Sequence, residues 1–452
     1  MATLQHAESA NSSDFRSSPC SSGARNVNSR GGDGLVHPGE IAVGVVIGRA
    51  SEYFDFFVYA IASVVVFPQL LFPFEQPLEA QLWSFAIFSL SFIARPFGTI
   101  IFMYLQQKVS REAKLLVALM VLGSATAGLA FLPSYQSAGG LAIGILAVAR
   151  VAQGIAQGGS WDGLPSLLAL NAPKEKRGFY AMLGQLGAPT GFIIAAGVFA
   201  YMMLALTEKD FLDWGWRYPF YVAFAINVVA LFARLRLVST PEYSHLLDER
   251  ELEPTNTVEL IRNQGSNIVI GALAALASYA LFHLVTVFPL SWIHLYSTER
   301  AVVNVLETQI VGAFLCIAAI IGSGFIADRL GRRTTLGLLA TGIAVFSGFV
   351  PLLISGGELG QNVFILVGFV LLGFSYGQAA GAVTANFESR FRYTGAALTS
   401  DLAWLVGAAF APVVALGLAA NFGLAFVSVY LLSGAGGSLA ALSLNRVLEI
   451  RD

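Results

Sequence analysis

The sequence predicts an all-α membrane protein of twelve transmembrane helices arranged as two six-helix bundles, and three observations carry that prediction. Of 452 residues, 56% are hydrophobic and only 12% charged, with a mean hydropathy of +0.69; such a chain is too apolar for a water-soluble globule with one core. From Ile41 onward, twelve apolar stretches follow one another, each of the roughly 20 residues that cross ~30 Å of hydrocarbon. The longest polar interruption, residues 239–264, is charged and divides these stretches six and six, the layout of two linked helical bundles.

Taken in order, residues 1–38 are rich in Ser, Asn and Gly and lack the apolar middle of a signal peptide, so they are expected to be a disordered tail. The apolar stretches then lie near 41–67, 80–104, 113–133, 139–165, 178–206 and 217–238, forming a first half over 39–238. After the 239–264 linker they resume near 266–293, 305–327, 334–355, 362–386, 394–419 and 424–446, forming a second half over 265–452. Lys and Arg gather in alternate connections, "KVSREAK", "KEKR", "DRLGRR" and "ESRFR", whereas the intervening ones read "FPFEQPLEAQ", "PSYQSAGG" and "ANFG". By the positive-inside rule both termini are expected on the cytoplasmic side. The net charge of −2 is close to neutral and says nothing about nucleic acid, but no basic block could follow a phosphate backbone, so no nucleic-acid partner is expected. Cys20 and Cys316 are too few for a disulfide framework or a metal cluster, and no cofactor is implied.

The first span reads "GRASEYFDFFVYA" and holds three charges, Arg49, Glu52 and Asp55. An ionisable side chain near the bilayer centre costs roughly 2.5–3.5 kcal/mol on insertion scales and persists where it faces protein and has a task. Arg49, Glu52, Asp55 and Tyr59 follow at steps of three, three and four residues, which places them on one helix face. Arg150 falls near the middle of the fourth span by residue count, as Glu52 does in the first, so a contact between Glu52 and Arg150 is expected. Such a carboxylate can alternate between pairing with the cation and taking a proton, or it can form a fixed pair that only sets helix packing. Asp162 in the fourth span and Asp401 in the eleventh are further candidates for the charge network. Candidate cavity residues are Tyr59, Arg95, Gln153, Trp161, Gln185 and His283, with Tyr279, Trp292 and Trp404 as possible cavity or packing aromatics. His283, alone among apolar neighbours, reads either as a hydrogen-bonding or proton-relaying group or as a packing residue. Small-residue steps at Gly154/Gly158, Gly187/Gly191 and Gly373/Gly377/Gly381 permit close helix approach, and "GQLGAP" places a bend in the fifth span.

An enzyme reading fails on context. "GFSYG" at residues 373–377 matches the G-x-S-x-G elbow, but Ser375 lies in an apolar helical run and no His follows His294. H-E-x-x-H and P-loop patterns are absent from the sequence.

"GFIADRLGRR", with Gly324, Asp328, Arg329, Gly331, Arg332 and Arg333, resembles the signature loop of the major facilitator superfamily. At the matching place in the first half stands "MYLQQKVSRE", where Gln107 and Ser110 replace the family's Asp and Gly. Four stretches are similar to the metabolite:proton symporters, the osmolyte, α-ketoglutarate, citrate and shikimate type: "IGRASEYFDFFVY", "RPFG", "RVAQGIAQGGSW" and "RFRYTGAAL". Two positions depart from that pattern: Arg49 replaces an Asn, and Ser160 replaces an acid, with Asp162 two residues later. The resemblance implies a major facilitator fold with a solute cavity between the bundles, alternating access, and proton-coupled symport of a small polar metabolite across an inner membrane. An organic anion is the expected solute because Arg49 and Arg150 supply cationic groups. Zwitterions are the nearest alternative, followed by an uncoupled facilitator or antiporter and, remotely, a sensor. The partners expected are the solute, protons and lipid, with the protein a monomer.

Overall fold

A computed structural model of the chain describes residues 38–160, 176–238, 253–297, 301–384 and 387–444. Trp161 and Asp162, both candidates above, fall outside these residues. Among the described residues ten helices are long and apolar enough to cross a membrane. Two more complete the expected twelve. One is α1 (Pro38–Val65), whose three internal charges lower its hydropathy, and the other is α9 (Arg332–Ser347), which breaks at Gly348 and resumes as Val350–Ser355.

The first half continues with α2 (Pro77–Gln106), α3 (Arg111–Ala130), α4 (Gly140–Gly159), α5 (Arg177–Ala205) and α6 (Tyr218–Val238). The second half holds α7, in three pieces (Thr257–Ala274, Leu276–Thr286, Phe288–Tyr296), then α8 (Val302–Leu330), α9, α10 (Gly357–Thr384), α11 (Arg392–Phe422) and α12 (Ala425–Leu444). The expected span limits hold to within a few residues at most ends. The clearest difference is at α7, whose helix starts at Thr257, inside the segment read as linker. Asn256 explains the early start: its side chain accepts from the N–H groups of Val258 and Glu259, capping the helix.

Helix pairing repeats with an offset of six. α1 lies on α5, α2 on α4 and α3 on α6; in the second half α7 lies on α11, α8 on α10 and α9 on α12. The seam between the halves pairs α2 with α11 and α5 with α8, which are one pairing under the same rule. This is the packing of two related six-helix bundles.

Lipid is as apolar as a leucine side chain, so helices associate here by close backbone approach rather than by burying oily surface from water. Glycines supply that approach at equivalent places in both halves. In α2 and α4, a Cβ on Gly98 would strike the Ile155 carbonyl, and one on Gly154 would strike that of Ser91. In α8 and α10, a Cβ on Gly373 would lie 2.6 Å from the Cys316 carbonyl oxygen. A Cβ on Gly191 of α5 would lie 2.6 Å from the Phe54 nitrogen of α1, and one on Gly407 of α11 would lie 2.6 Å from the Tyr279 Cβ of α7. The "GQLGAP" stretch forms a 3₁₀ turn at Gly184–Leu186 within α5, and α11 contains a π turn at Leu405–Ala409. Both are local departures from α-helical hydrogen bonding of the kind found at hinges.

Gly154→Ala is therefore expected to lower the Tm of the detergent-purified protein, because overpacking a tight contact costs about 1–3 kcal/mol. Gly144→Ala, with nothing within 4 Å of the added Cβ, is expected to leave Tm unchanged or raise it slightly.

Candidate functional site

The first polar cluster lies inside the first half, among α1, α2, α3, α4 and α6. Arg150 is 1% exposed. Its Nη1 donates to Gln153 Oε1 at 2.8 Å, and its Nη2 donates to the Phe88 carbonyl at 3.0 Å and to Ser91 Oγ at 2.5 Å. The guanidinium lies 3.8 Å from the centre of the Tyr59 ring and 5.3 Å from that of Phe88, a desolvated cation–π arrangement worth about 2 kcal/mol or more. Gln153 Nε2 donates to Thr126 Oγ1 at 2.9 Å, and Thr126 Oγ1 donates to Asp55 Oδ1 at 2.7 Å. Asp55 is 3% exposed and also meets Asn227, which accepts from Ser51 at 3.2 Å. The carboxylate and the guanidinium are thus joined through two neutral side chains and share no direct ion pair.

Glu52, expected opposite Arg150, binds elsewhere. Its Oε2 is 2.6 Å from Arg49 Nη1, and its Oε1 accepts from Ser160 at 3.3 Å. Ser160 and Arg150 are ten residues apart on one helix, about 15 Å along its axis. A residue level with the former therefore cannot reach the latter. Counting from span ends placed the two helices in the wrong relative register. Tyr59 and Gln153, read as cavity residues, likewise belong to the cluster inside the first half.

A second set of contacts ties the halves together. Arg95 of α2 pairs with Asp401 of α11, Nε to Oδ1 at 2.7 Å, and Thr99 Oγ1 donates to Asp401 Oδ2 at 2.5 Å. Arg95, read as a cavity residue, and Asp401, read as a coupling acid, thus form a cross-seam pair with side chains only 14% and 3% exposed. Nearby, Ser89 donates to the Ala409 carbonyl at 2.6 Å.

At the end of the helices where the "DRLGRR" loop lies, Asp328 accepts from the N–H groups of Gly178 (2.6 Å) and Phe179 (3.2 Å). A negative charge here meets the first free donors and the positive dipole end of α5. Gly178 admits the contact because a Cβ would lie 2.7 Å from Asp328 Oδ1, and Gly324 lies against Phe179 on the other side. Arg332 donates to the Gly381 carbonyl and Arg333 to that of Leu442 at 3.0 Å, within the second half, while Arg329 is exposed. Gly331 turns the chain at φ +81. At the equivalent place between α2, α3 and α11 the described contacts involve no carboxylate. Instead Tyr393 OH donates to Gln106 Oε1 at 3.2 Å and accepts from Lys114 at 3.3 Å, with Arg111 beside the ring.

The centre of the seam is aromatic. Tyr53 and Tyr376 hydrogen-bond hydroxyl to hydroxyl across it, and Arg49 donates to Tyr53 OH at 3.2 Å. Phe56, Phe57, Tyr279, Phe282 and Trp404 surround them with ring centres 4.9–6.4 Å apart. His283 is fully buried, stacked on Phe56 at 5.6 Å, and neither ring nitrogen has a hydrogen-bond partner. Gln185, also buried, leaves Oε1 without a partner. A cavity of about 10 Å³ lies among the rings, beside Phe57, Phe192, Phe282 and Tyr376, room for about one water. Towards the end away from the loops, the Phe288–Tyr296 piece of α7 reaches α1 and α2. Among the described residues the halves therefore meet towards both ends.

The family model described as Major Facilitator Superfamily matches residues 45–412. The chain belongs to the Major Facilitator Superfamily. A D-xylose-proton symporter structure superposes on this major facilitator protein with a TM-score of 0.68, covering 91% of this chain and 98% of that one, at 17% identity, a likeness of fold. The inner membrane metabolite transport protein YhjE of Escherichia coli K12 is 35% identical over 414 residues, 90% of this chain and 93% of that protein. The shikimate transporter of the same organism is 30% identical over 410 residues, 87% and 91% of the two chains. The protein is thus a membrane transporter and not an enzyme. Ser375 of the apparent nucleophile elbow sits in helix and donates to the Leu372 carbonyl at 3.2 Å.

Sequence reasoning missed Thr126, Asn227, Tyr53, Tyr376 and Tyr393. Of these only Asn227 stands out in the sequence, as a lone amide within "VAFAINVVALF".

Arg95→Gln leaves Asp401 as an unpaired buried charge and is expected to destabilise the protein by about 3–5 kcal/mol. The double change with Asp401→Asn is expected to recover most of the lost Tm, since it removes the unpaired charge.

Proposed function

We propose that this protein is a proton-coupled symporter that moves a small polar metabolite, an organic anion first among the candidates, by alternating access. The observation that carries the reading is the Asp55–Arg150 arrangement. A buried carboxylate held by neutral donors, with a buried cation two side chains away, can take up or release a proton without breaking a direct ion pair. Neutralising it changes the charge balance around Arg150, and the energetic worth of that change is available to bias one arrangement of the halves over another. The relatives named as metabolite and shikimate transporters support the solute class.

In this reading the solute site is the aromatic centre of the seam. Arg49 stands beside Tyr53 and Tyr376 to meet a carboxylate, and His283 and Gln185 supply the unpartnered polar atoms that a solute would satisfy once the rings part. The halves, 39–238 and 265–452, rock about that site, closing through Arg95–Asp401 and Asp328 at the loop end. The basic loops support a reading in which that end faces the cytoplasm, with the protein in an inner membrane and both termini inside. In this reading the protein acts as a monomer.

The test is accumulation of carboxylate solutes in proteoliposomes under an imposed proton gradient, acid outside. The native protein is expected to accumulate solute at least about tenfold better with the gradient than without it. Asp55→Asn is expected to lose that gain while still exchanging labelled for unlabelled solute at equal pH. Gradient-driven accumulation by Asp55→Asn equal to native would remove Asp55 as the proton carrier.

A further inference from the structure

We infer that Thr126 and Gln153 form a directional bridge through which the protonation state of Asp55 sets how Arg150 is held. The inference rests on the coupling role proposed for Asp55, and it assigns work to two neutral residues that the charges alone do not single out.

The direction follows from hydrogen-bond capacity. Arginine has donors only. Arg150 Nη1 at 2.8 Å from Gln153 therefore requires the amide oxygen on that side, which turns the amide Nε2 towards Thr126. Thr126 Oγ1 accepts that N–H and has one hydrogen of its own, directed at Asp55 Oδ1, 2.7 Å away. Every bond in the series thus runs from the cation to the carboxylate. Such a series is mutually polarising, each bond strengthened by its neighbours and by the charges at its two ends.

The series matches an anionic Asp55. A proton on Oδ1 would set two hydrogens facing each other, so the Thr126 hydroxyl would have to rotate and accept from both Asp55 and Gln153. A proton on Oδ2 would leave Thr126 in place but remove the charge that polarises the series. Either way the arm of Arg150 that points to Gln153 weakens. Its other arm, to Phe88 O and Ser91 Oγ of α2 and to the Tyr59 ring, is left to hold it. Protonation therefore redistributes Arg150 between α4 itself and α2. α2 is also the helix that carries Arg95 to Asp401 across the seam, so the effect reaches the closure between the halves.

The groups facing Asp55 are few. From α4 it meets Arg150, and from its own helix Glu52; α3 and α6 present Thr126 and Asn227, which do not titrate in this range. Glu52 is engaged with Arg49 and Ser160. The bridge is thus the hydrogen-bonded route between the carboxylate and the guanidinium among the described residues.

The experiment measures protons moved per solute molecule, together with the pH profile of uptake, in proteoliposomes with native protein, Thr126→Val, Thr126→Ser and Gln153→Leu. Valine keeps the shape of threonine without the hydroxyl. Thr126→Val and Gln153→Leu are expected to retain solute exchange at equal pH but to lower the gradient-driven accumulation ratio by roughly tenfold and to flatten the pH profile. Thr126→Ser is expected to stay within about twofold of native. Thr126→Val that keeps the native proton ratio and pH profile, whatever its Tm, overturns the bridge. Should native protein itself move no protons, the coupling role of Asp55 fails first, and with it the inference.

Discussion

The structure depends on keeping one guanidinium, that of Arg150, out of both water and lipid. Isolated at that depth it would be among the costliest groups in the chain. It is instead surrounded: α2 supplies a carbonyl and a hydroxyl, α1 supplies the face of Tyr59, and Gln153 of its own helix supplies an amide oxygen. These partners come from three helices that must therefore hold fixed distances. The glycines of α2 and α4 maintain that spacing, since Gly154 lies against the backbone of Ser91, the residue whose hydroxyl Arg150 reaches. Packing and electrostatics here are a single constraint.

The second half repeats the packing without the charge. α8 and α10 meet through Gly373 as α2 and α4 meet through Gly98 and Gly154, yet Cys316 and Ser323 stand along that contact where the first half carries its cation network. The halves differ again at their loops. The Asp328 carboxylate caps α5, whereas at the equivalent end of α11 the Tyr393 hydroxyl meets Gln106 and Lys114. A repeated scaffold thus bears different polar groups on each side among the described residues.

The fold was legible in the sequence because its signals are long and redundant: twelve apolar runs, alternating basic loops, and glycine steps that the structure places at helix crossings. The site was legible only in part. Rare charges announce themselves in an apolar chain, so Arg49, Glu52, Asp55, Arg150, Arg95 and Asp401 could be singled out, but their pairings could not. Pairing depends on the relative height of two helices, and no local pattern encodes that height to the one turn that separates Glu52 from Asp55. Thr126 was missed because a threonine in a membrane helix carries no charge to mark it, while the lone amide of Asn227 was a weaker signal than a charge. Tyr53 and Tyr376 were hidden among aromatics of ordinary packing type. The Gln107 substitution was visible, while the Tyr393 cluster that takes the carboxylate's place required the fold.

The central claim, that proton and solute move together, is tested most directly by the pH outside proteoliposomes as solute is added without any imposed gradient. Dicarboxylates, tricarboxylates, cyclic acids and betaines would be tried in turn. The account predicts alkalinisation of the medium on adding one carboxylate class, abolished by a protonophore. Solute entry without proton movement at any pH tried would contradict it and leave an uncoupled carrier.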